Sequence, residues 1–265
     1  MAHIQNYIHG SDLPEQERLS KLNLLTNKSF IEFVNPKKHD VILEIGSGLG
    51  ILANEIAKIT PDGNIYGIEL LKPQLQKSPK NISNLHFFNG DVEHLPFAKN
   101  KFDIVYGRYI LEHLSNPEIA LKEIYEVLKP DGKIYLQENA ILTMQFYPAC
   151  PKFDYAWNKF ADLQSKLGGD AMIGIKLYQL LKQASFYNIE ASFAPEIHYP
   201  EKESFTDWID NLIGNLESAK FNLIEYELLS ESEFEDAILE LNEFKMNQYA
   251  STYFYWNRIM GQKSK

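Results

Sequence analysis

Cysteine is almost absent from the 265-residue chain, and the single Cys150 excludes an internal disulfide. No apolar run approaches the ~18 residues that a membrane-spanning helix needs. Met1 to Leu19 is polar and mixed in charge, without the apolar stretch of a secretory leader. Together these absences predict a protein of the reducing cytoplasm. Excess positive charge is also missing: 26 Lys and Arg face 36 Asp and Glu, for a net charge of −10. The imbalance is local. Between Glu201 and Lys245 thirteen acids meet three lysines, so this segment alone accounts for it. With no basic stripe to neutralise a phosphate backbone or dock on anionic lipid, neither nucleic acid nor membrane is expected as a partner. What is present is ordinary globular material. Hydrophobic residues make up 45% of the chain and charged residues 23%, enough to bury a core, so disorder is not expected.

From Val41 to Glu138 short apolar runs alternate with helical patterns, as in βαβ units on a parallel sheet. Val41 to Ile45 reads as a buried strand, Ile51 to Ile59 as a helix, and Asn64 to Ile68 as the next strand. Leu85 to Phe88 and Phe102 to Tyr106 continue the series. Asn116-Pro117 has the residues of an N-cap and a first helical turn, and Ile119, Ala120, Ile124, Val127 and Leu128 keep the helical period. Pro130-Asp-Gly132 is expected to end that helix before a fifth strand, Lys133 to Leu136. Gly174 to Ala184 reads as a helix, and Tyr187 to Phe193 and Thr252 to Trp256 as two late strands. The expected fold is α/β: a doubly wound, seven-stranded, mostly parallel sheet with helices on both faces and a helical cap. Within one domain spanning 1–265 the expected parts are an N-terminal helical arm (1–39), a cofactor-binding core (40–143), an aromatic insert and helix (144–186), and an acidic helical cap (201–250) between late strands.

The chemistry is concentrated at Glu44-Ile-Gly46-Ser47-Gly48-Leu49-Gly50, a turn from strand to helix. Glycines there let the backbone turn sharply and approach a ligand, while the next helix offers unpaired N–H groups. The spacing is G-x-G-x-G with an acid two residues earlier, not the G-x-G-x-x-G of a dinucleotide fingerprint. Glu69 ends the following strand ~20 residues later, where a ribose diol would be held.

These motifs resemble those of the class I S-adenosylmethionine-dependent methyltransferases, in particular members acting on small molecules. Glu44 to Gly50 matches the first motif of that family, which implies that Gly46, Ser47, Gly48 and Gly50 curl around the methionine part of the cofactor. Glu69, with Leu70 beside it, matches the acid that binds the ribose. Gly90-Asp91-Val92 resembles the segment whose acid reads the adenine amino group. Leu95-Pro96-Phe97, Phe102 to Val105, Arg108 to Leu114 and Leu128 to Gly132 complete a resemblance over residues 40 to 138, about a third of the chain. Tyr7, Gly10, Glu17 and Arg18 are similar to an N-terminal arm of some small-molecule members, which implies cofactor contact at Tyr7 and Arg18. Gly168-Gly-Asp170 with Gly174 resembles a further segment of that group.

Methyl transfer from a sulfonium is an in-line displacement that needs alignment more than covalent help, and alignment can supply ~7–11 kcal/mol. Aromatic walls suit the cation better than a strong anion, which would stabilise the ground state. Tyr7 and Tyr109 are candidates for that wall, or plain packing residues. A protic acceptor needs a base. His113, just past the fourth strand, is the candidate, with packing under the cofactor loop as its alternative. Glu138 and Asn139 end the fifth strand and could orient the acceptor. Arg108 is expected to offer its backbone to the cofactor's amino-acid end, or its side chain to a carboxylate. Cys150 has no histidine pattern around it and reads as inert. His3 and His9, or His86 and His94, lack ligand spacing, so no metal is expected. Phe205, Trp208, Ile209, Leu212, Ile213 and Leu216 recur at helical spacing, so Trp208 should face the pocket or core. The acidic surface of the cap is either simply solvated or a funnel for an amine-bearing acceptor.

The expected function is S-adenosylmethionine-dependent methyl transfer to a small organic molecule. A protein that binds the cofactor without methylating would carry the same motif, and methylation of a protein or peptide side chain is a variant of the reading. A nicotinamide-dependent oxidoreductase fits the fold but not the glycine spacing.

Overall fold

Val41 to Ile45 is an unbroken apolar run with one acid, and such a run can be satisfied only between two covered faces. The structure, a computed structural model, describes residues 26–265 and places this strand, β1 (Val41–Ile45), at the centre of the sheet. Ile42 packs with Phe30, Val34, Leu52 and Ile56 on one side, whereas Leu43 and Ile45 pack with Ala120, Leu121 and Ile124 on the other. Those partners sit on a helix over residues 26–34 (α1), on α2 (Ile51–Ile59) and on α4 (Pro117–Val127).

β1 is flanked in parallel by β2 (Asn64–Glu69) and β4 (Phe102–Arg108), with β3 (Leu85–Asn89) and β5 (Leu128–Glu138) outside them. Chain direction along the sheet therefore switches between β1 and β4, opening a crevice at the carboxyl ends of the strands. A four-residue helix, α3 (Lys72–Leu75), follows β2. Beyond β5 the sheet turns antiparallel. β8 (Ser251–Gln262) pairs with β5, with the short β6 (Gln145–Tyr147) and with β7 (Tyr187–His198). The order is β3-β2-β1-β4-β5-β8-β6, with β7 on β8, so the sheet has eight strands rather than seven.

A separate helical layer stands on the far end of the sheet. It comprises α5 (Pro151–Lys166), α7 (Phe205–Glu225) and α8 (Glu231–Lys245). Phe153, Trp157, Phe160, Trp208, Phe254 and Trp256 form part of its core. Burying each such side chain contributes ~1.5–3 kcal/mol. A capping box starts α8: Ser230 Oγ accepts from the Glu233 N–H at 3.2 Å, and the Glu233 carboxylate accepts from the Ser230 N–H at 2.8 Å.

Several local expectations are corrected. Asn116 precedes α4, but its side chain makes no capping bond; Pro117 at the first position is what starts the helix. Pro130-Asp-Gly132 does not follow a helix end directly, because α4 stops at Val127 and these residues lie inside β5. Asp131 takes a positive φ of 62° there, and the β4–β5 register shifts between Phe102 and Ile104. Gly174 to Ala184 divides into a 3-10 turn, Ile173–Lys176, and a shorter helix, α6 (Leu177–Gln183). Among the described residues no helix is long and apolar enough to cross a membrane, and no three His, Cys, Asp or Glu side chains cluster as metal ligands.

Candidate functional site

At the carboxyl ends of β1, β2, β4 and β5 lies a cavity of about 300 Å³. One end is built from the glycine turn. Gly46 has φ 62°, and a side chain there would collide with Ile110. Gly50 has φ 71° at the start of α2, and a side chain would strike the Phe87 ring. Gly46, Ser47 and Gly48 line the cavity, whereas Gly50 does not and instead shapes the turn.

Two carboxylates flank the turn. Glu69 Oε2 accepts from the Gly48 N–H at 2.9 Å and Oε1 from the Leu71 N–H at 2.8 Å, so the acid that ends β2 fixes the loop after β1. Burial raises its pKa against the pull of those backbone donors. Glu44 lies deeper. Burial pushes its carboxyl up to about 8, outweighing the nearby Arg108. Glu44 Oε2 and Ser47 Oγ are buried without a hydrogen-bond partner although both residues line the cavity. Asp91, Val92 and the half-exposed Leu70 complete this end; Asp91 Oδ1 accepts from the Glu93 N–H at 2.9 Å.

The loop after β4 joins the two ends. Arg108 donates to Thr26 Oγ1 and Asn27 Oδ1, both at 2.8 Å, so its guanidinium is held by α1 at the cavity edge. Tyr109 takes a positive φ of 58°, which turns its ring onto Trp256 at 4.8 Å. Gln137 Nε2 donates to its hydroxyl at 2.5 Å, and Arg258 Nε donates to Gln137 Oε1 at 2.7 Å. Burial raises the Tyr109 pKa, so the phenol stays neutral. His113 lines the cavity with its Nε2 3.7 Å from Glu112 Oε1. Asn139 Nδ2 donates to both Glu112 oxygens, at 2.7 and 2.8 Å. Gly174 makes room for this arrangement, since its N–H donates to the Asn139 carbonyl at 2.7 Å and a side chain would collide there.

The other end is aromatic. Tyr109, Trp157, Phe160, Trp208, Phe254 and Trp256 wall it, with Ile141, Met144 and Leu212 between them and Gln164, Asn211 and Asn215 as polar members.

Thirteen residues singled out from the sequence thus line one space: Glu44, Gly46, Ser47, Gly48, Glu69, Leu70, Asp91, Val92, Arg108, Tyr109, His113, Asn139 and Trp208. Glu138 is placed differently from its expectation. It is fully buried and does not line the cavity; its Oε1 accepts from the Ile110 and Leu111 N–H groups at 3.1 and 3.0 Å. Burial and the neighbouring Glu112 raise its pKa, and its two backbone bonds make it a strut for the turn that carries His113. Tyr7 and Arg18, like Gly10 and Glu17, lie outside the described residues. Sequence reasoning missed Glu112, Gln164, Asn211 and Trp256. Trp256 had a signal in the alternation of a late strand, and Glu112 lies within the Arg108 to Leu114 motif.

A parallel sheet with its crevice at a glycine turn, an acid on the second strand gripping that turn, and an aromatic chamber beyond define a class I S-adenosylmethionine-dependent methyltransferase. The chain belongs to that family. A profile for the methyltransferase domain matches residues 43–136. YrhH of Bacillus subtilis is 30% identical over 123 residues, covering 45% of this chain and 68% of its own. A demethylmenaquinone methyltransferase of Lactobacillus johnsonii is 31% identical over 143 residues, covering 51% of this chain and 56% of its own. The chain spans about half the length of some curated relatives it matches. The solved YcgJ protein of Bacillus subtilis shares the fold, with a TM-score of 0.59 at 17% identity over 90% of this chain and 98% of that one.

Proposed function

We propose that the chain transfers a methyl group from S-adenosylmethionine to a small, flat and largely uncharged organic acceptor. The observation that carries this reading is the two-part lining of one cavity: glycines and carboxylates at one end, six aromatic rings at the other, meeting at residues 108–115. The residues present fit an adenosyl sulfonium compound. The glycine turn admits close approach, Glu69 is fixed beside it, and Glu44 Oε2 and Ser47 Oγ lack partners.

Bound there, the cofactor supplies an electrophilic methyl group. Glu69 holds the ribose hydroxyls, Asp91 reads the adenine amino group, and the Gly46 to Gly48 backbone receives the methionine part. Arg108, fixed by α1, edges the cofactor's amino-acid end. Tyr109 presents a neutral ring to the sulfonium, which a cation tolerates without the ground-state stabilisation of an anion. The aromatic end excludes water and orients the acceptor. His113 takes the proton that a protic acceptor must lose, and Asn139 orients the carboxylate beside it.

The segment 201–250 acts as a cap that selects the acceptor, through Trp208 and its neighbours on α7. None of its acids lines the cavity, which favours a solvated surface over a cationic funnel. A neutral aromatic acceptor also accords with the relative named for demethylmenaquinone. The buried free thiol of Cys150 suits the reducing cytoplasm.

Calorimetric titration with S-adenosylmethionine, S-adenosylhomocysteine and NADH tests the cofactor, and a mass-spectrometric screen with methyl-labelled cofactor tests transfer. Binding of both adenosyl compounds with a labelled product is expected. Binding with no product from any acceptor would point to a protein that uses the cofactor otherwise. Binding of NADH alone would overturn the reading.

A further inference from the structure

All three tryptophans of the chain, Trp157, Trp208 and Trp256, wall the aromatic end of the cavity. Two of them are tied to one pair of side chains outside it. Trp256 Nε1–H donates to Glu196 Oε1 at 2.9 Å. The other Glu196 oxygen lies 3.1 Å from His198 Nε2, and His198 Nδ1 lies 3.0 Å from Ser204 Oγ. Glu196 thus bridges Trp256 and one nitrogen of His198, while the Ser204 hydroxyl pairs with the other. The His198 ring stacks on Trp208 at 4.7 Å with 10° between planes. Trp208 and Trp256 in turn meet edge to face at 6.1 Å.

Glu196 and His198 stand two residues apart on β7 and so share a face. Ser204 immediately precedes α7, which carries Trp208, whereas Trp256 belongs to β8. His198 is 1% exposed, and neither it nor Glu196 lines the cavity. Polar groups so placed in an aromatic layer are costly unless fully paired, and here their pairing joins the strand wall to the helix wall.

We propose that Glu196 and His198 are positioning residues that set the distance between the Trp208 and Trp256 walls and thereby determine which acceptors fit. The pair acts through the tryptophans, by a hydrogen bond on one side and a ring stack on the other. This rests on the reading that the acceptor occupies the aromatic end.

The test uses the full chain and the variants E196A, E196Q, H198A and H198F. E196Q keeps an oxygen for Trp256, and H198F keeps a ring over Trp208. Because every tryptophan is in the wall, fluorescence reports the chamber directly. In E196A and H198A the emission should shift to the red and acrylamide quenching should rise, with E196Q and H198F between them and the parent. S-Adenosylhomocysteine titrated calorimetrically should bind all five proteins within about twofold. 1,4-Naphthoquinone, added to the S-adenosylhomocysteine complex and followed by tryptophan quenching, should bind E196A roughly three- to tenfold more weakly, the scale of one lost hydrogen bond. Unchanged quenching and unchanged naphthoquinone affinity in E196A and H198A would overturn the proposal. Failure of the parent protein to bind S-adenosylhomocysteine, or naphthoquinone, would instead overturn the functional reading, and acrylamide access would still decide the role of the pair.

Discussion

Replacing Glu69 by glutamine should weaken cofactor binding by one to two orders of magnitude. Both carboxylate oxygens already accept a backbone N–H, from Gly48 and from Leu71, and Glu69 lines the cavity. An amide turns one acceptor into a donor. One buried N–H then meets an N–H, and one ligand hydroxyl loses its charged acceptor. Hydrogen bonds to a charged group are worth ~1.5–3 kcal/mol, so a loss of roughly 2–3 kcal/mol corresponds to about 30- to 150-fold in affinity. Calorimetry with S-adenosylhomocysteine measures this without any acceptor. Burial raises the Glu69 pKa, so affinity in the parent protein should also fall as pH drops and the carboxylate is neutralised. The glutamine variant should lose that dependence. Equal affinity in variant and parent, with an unchanged pH profile, would refute the assignment of Glu69 to the cofactor.

Glu44 gives a stability test. Its folded pKa of about 8 stands above the ordinary value of 4.5, so its contribution is fully present below pH 4.5 and is lost as pH rises through about 8. Glu44→Gln should remove ~1.4 kcal/mol per pH unit of that decline, read from urea midpoints between pH 5 and 8; parallel curves for the two proteins would reject it. His113→Ala should cut turnover by about 10²-fold with cofactor affinity intact, whereas equal losses of turnover and thermal stability would assign it to packing. Gly50→Ala places a side chain at φ 71° against Phe87 and should lower stability by roughly 1–3 kcal/mol, visible as a lower denaturant midpoint. An unshifted midpoint would show that the turn relaxes.

The glycine-turn half of the cavity was legible because its requirements are local. A glycine turn, an acid one strand later and continuous apolar strands sit in a fixed order, so Gly46, Ser47, Gly48 and Glu69 could be placed by spacing, whereas Asp91 came only from the family resemblance. The aromatic half was not. Trp256 and Trp208 meet only because β8 pairs with β7 and α7 folds over both, and no periodicity encodes that meeting. The three-residue strand β6 is too short to show alternation. Glu138 was misread for a related reason: a polar residue at a strand end looks like a ligand group until its backbone partners, Ile110 and Leu111, are seen.

The insertion of β8 beside β5 has a consequence for how the protein is made. Every lining residue from Glu44 to Asn139 is synthesised more than a hundred residues before Phe254 and Trp256. A ribosome-bound chain can therefore assemble the glycine-turn side of the cavity while the opposite wall is still missing. The aromatic wall is complete only once β8 has joined the sheet beside β5.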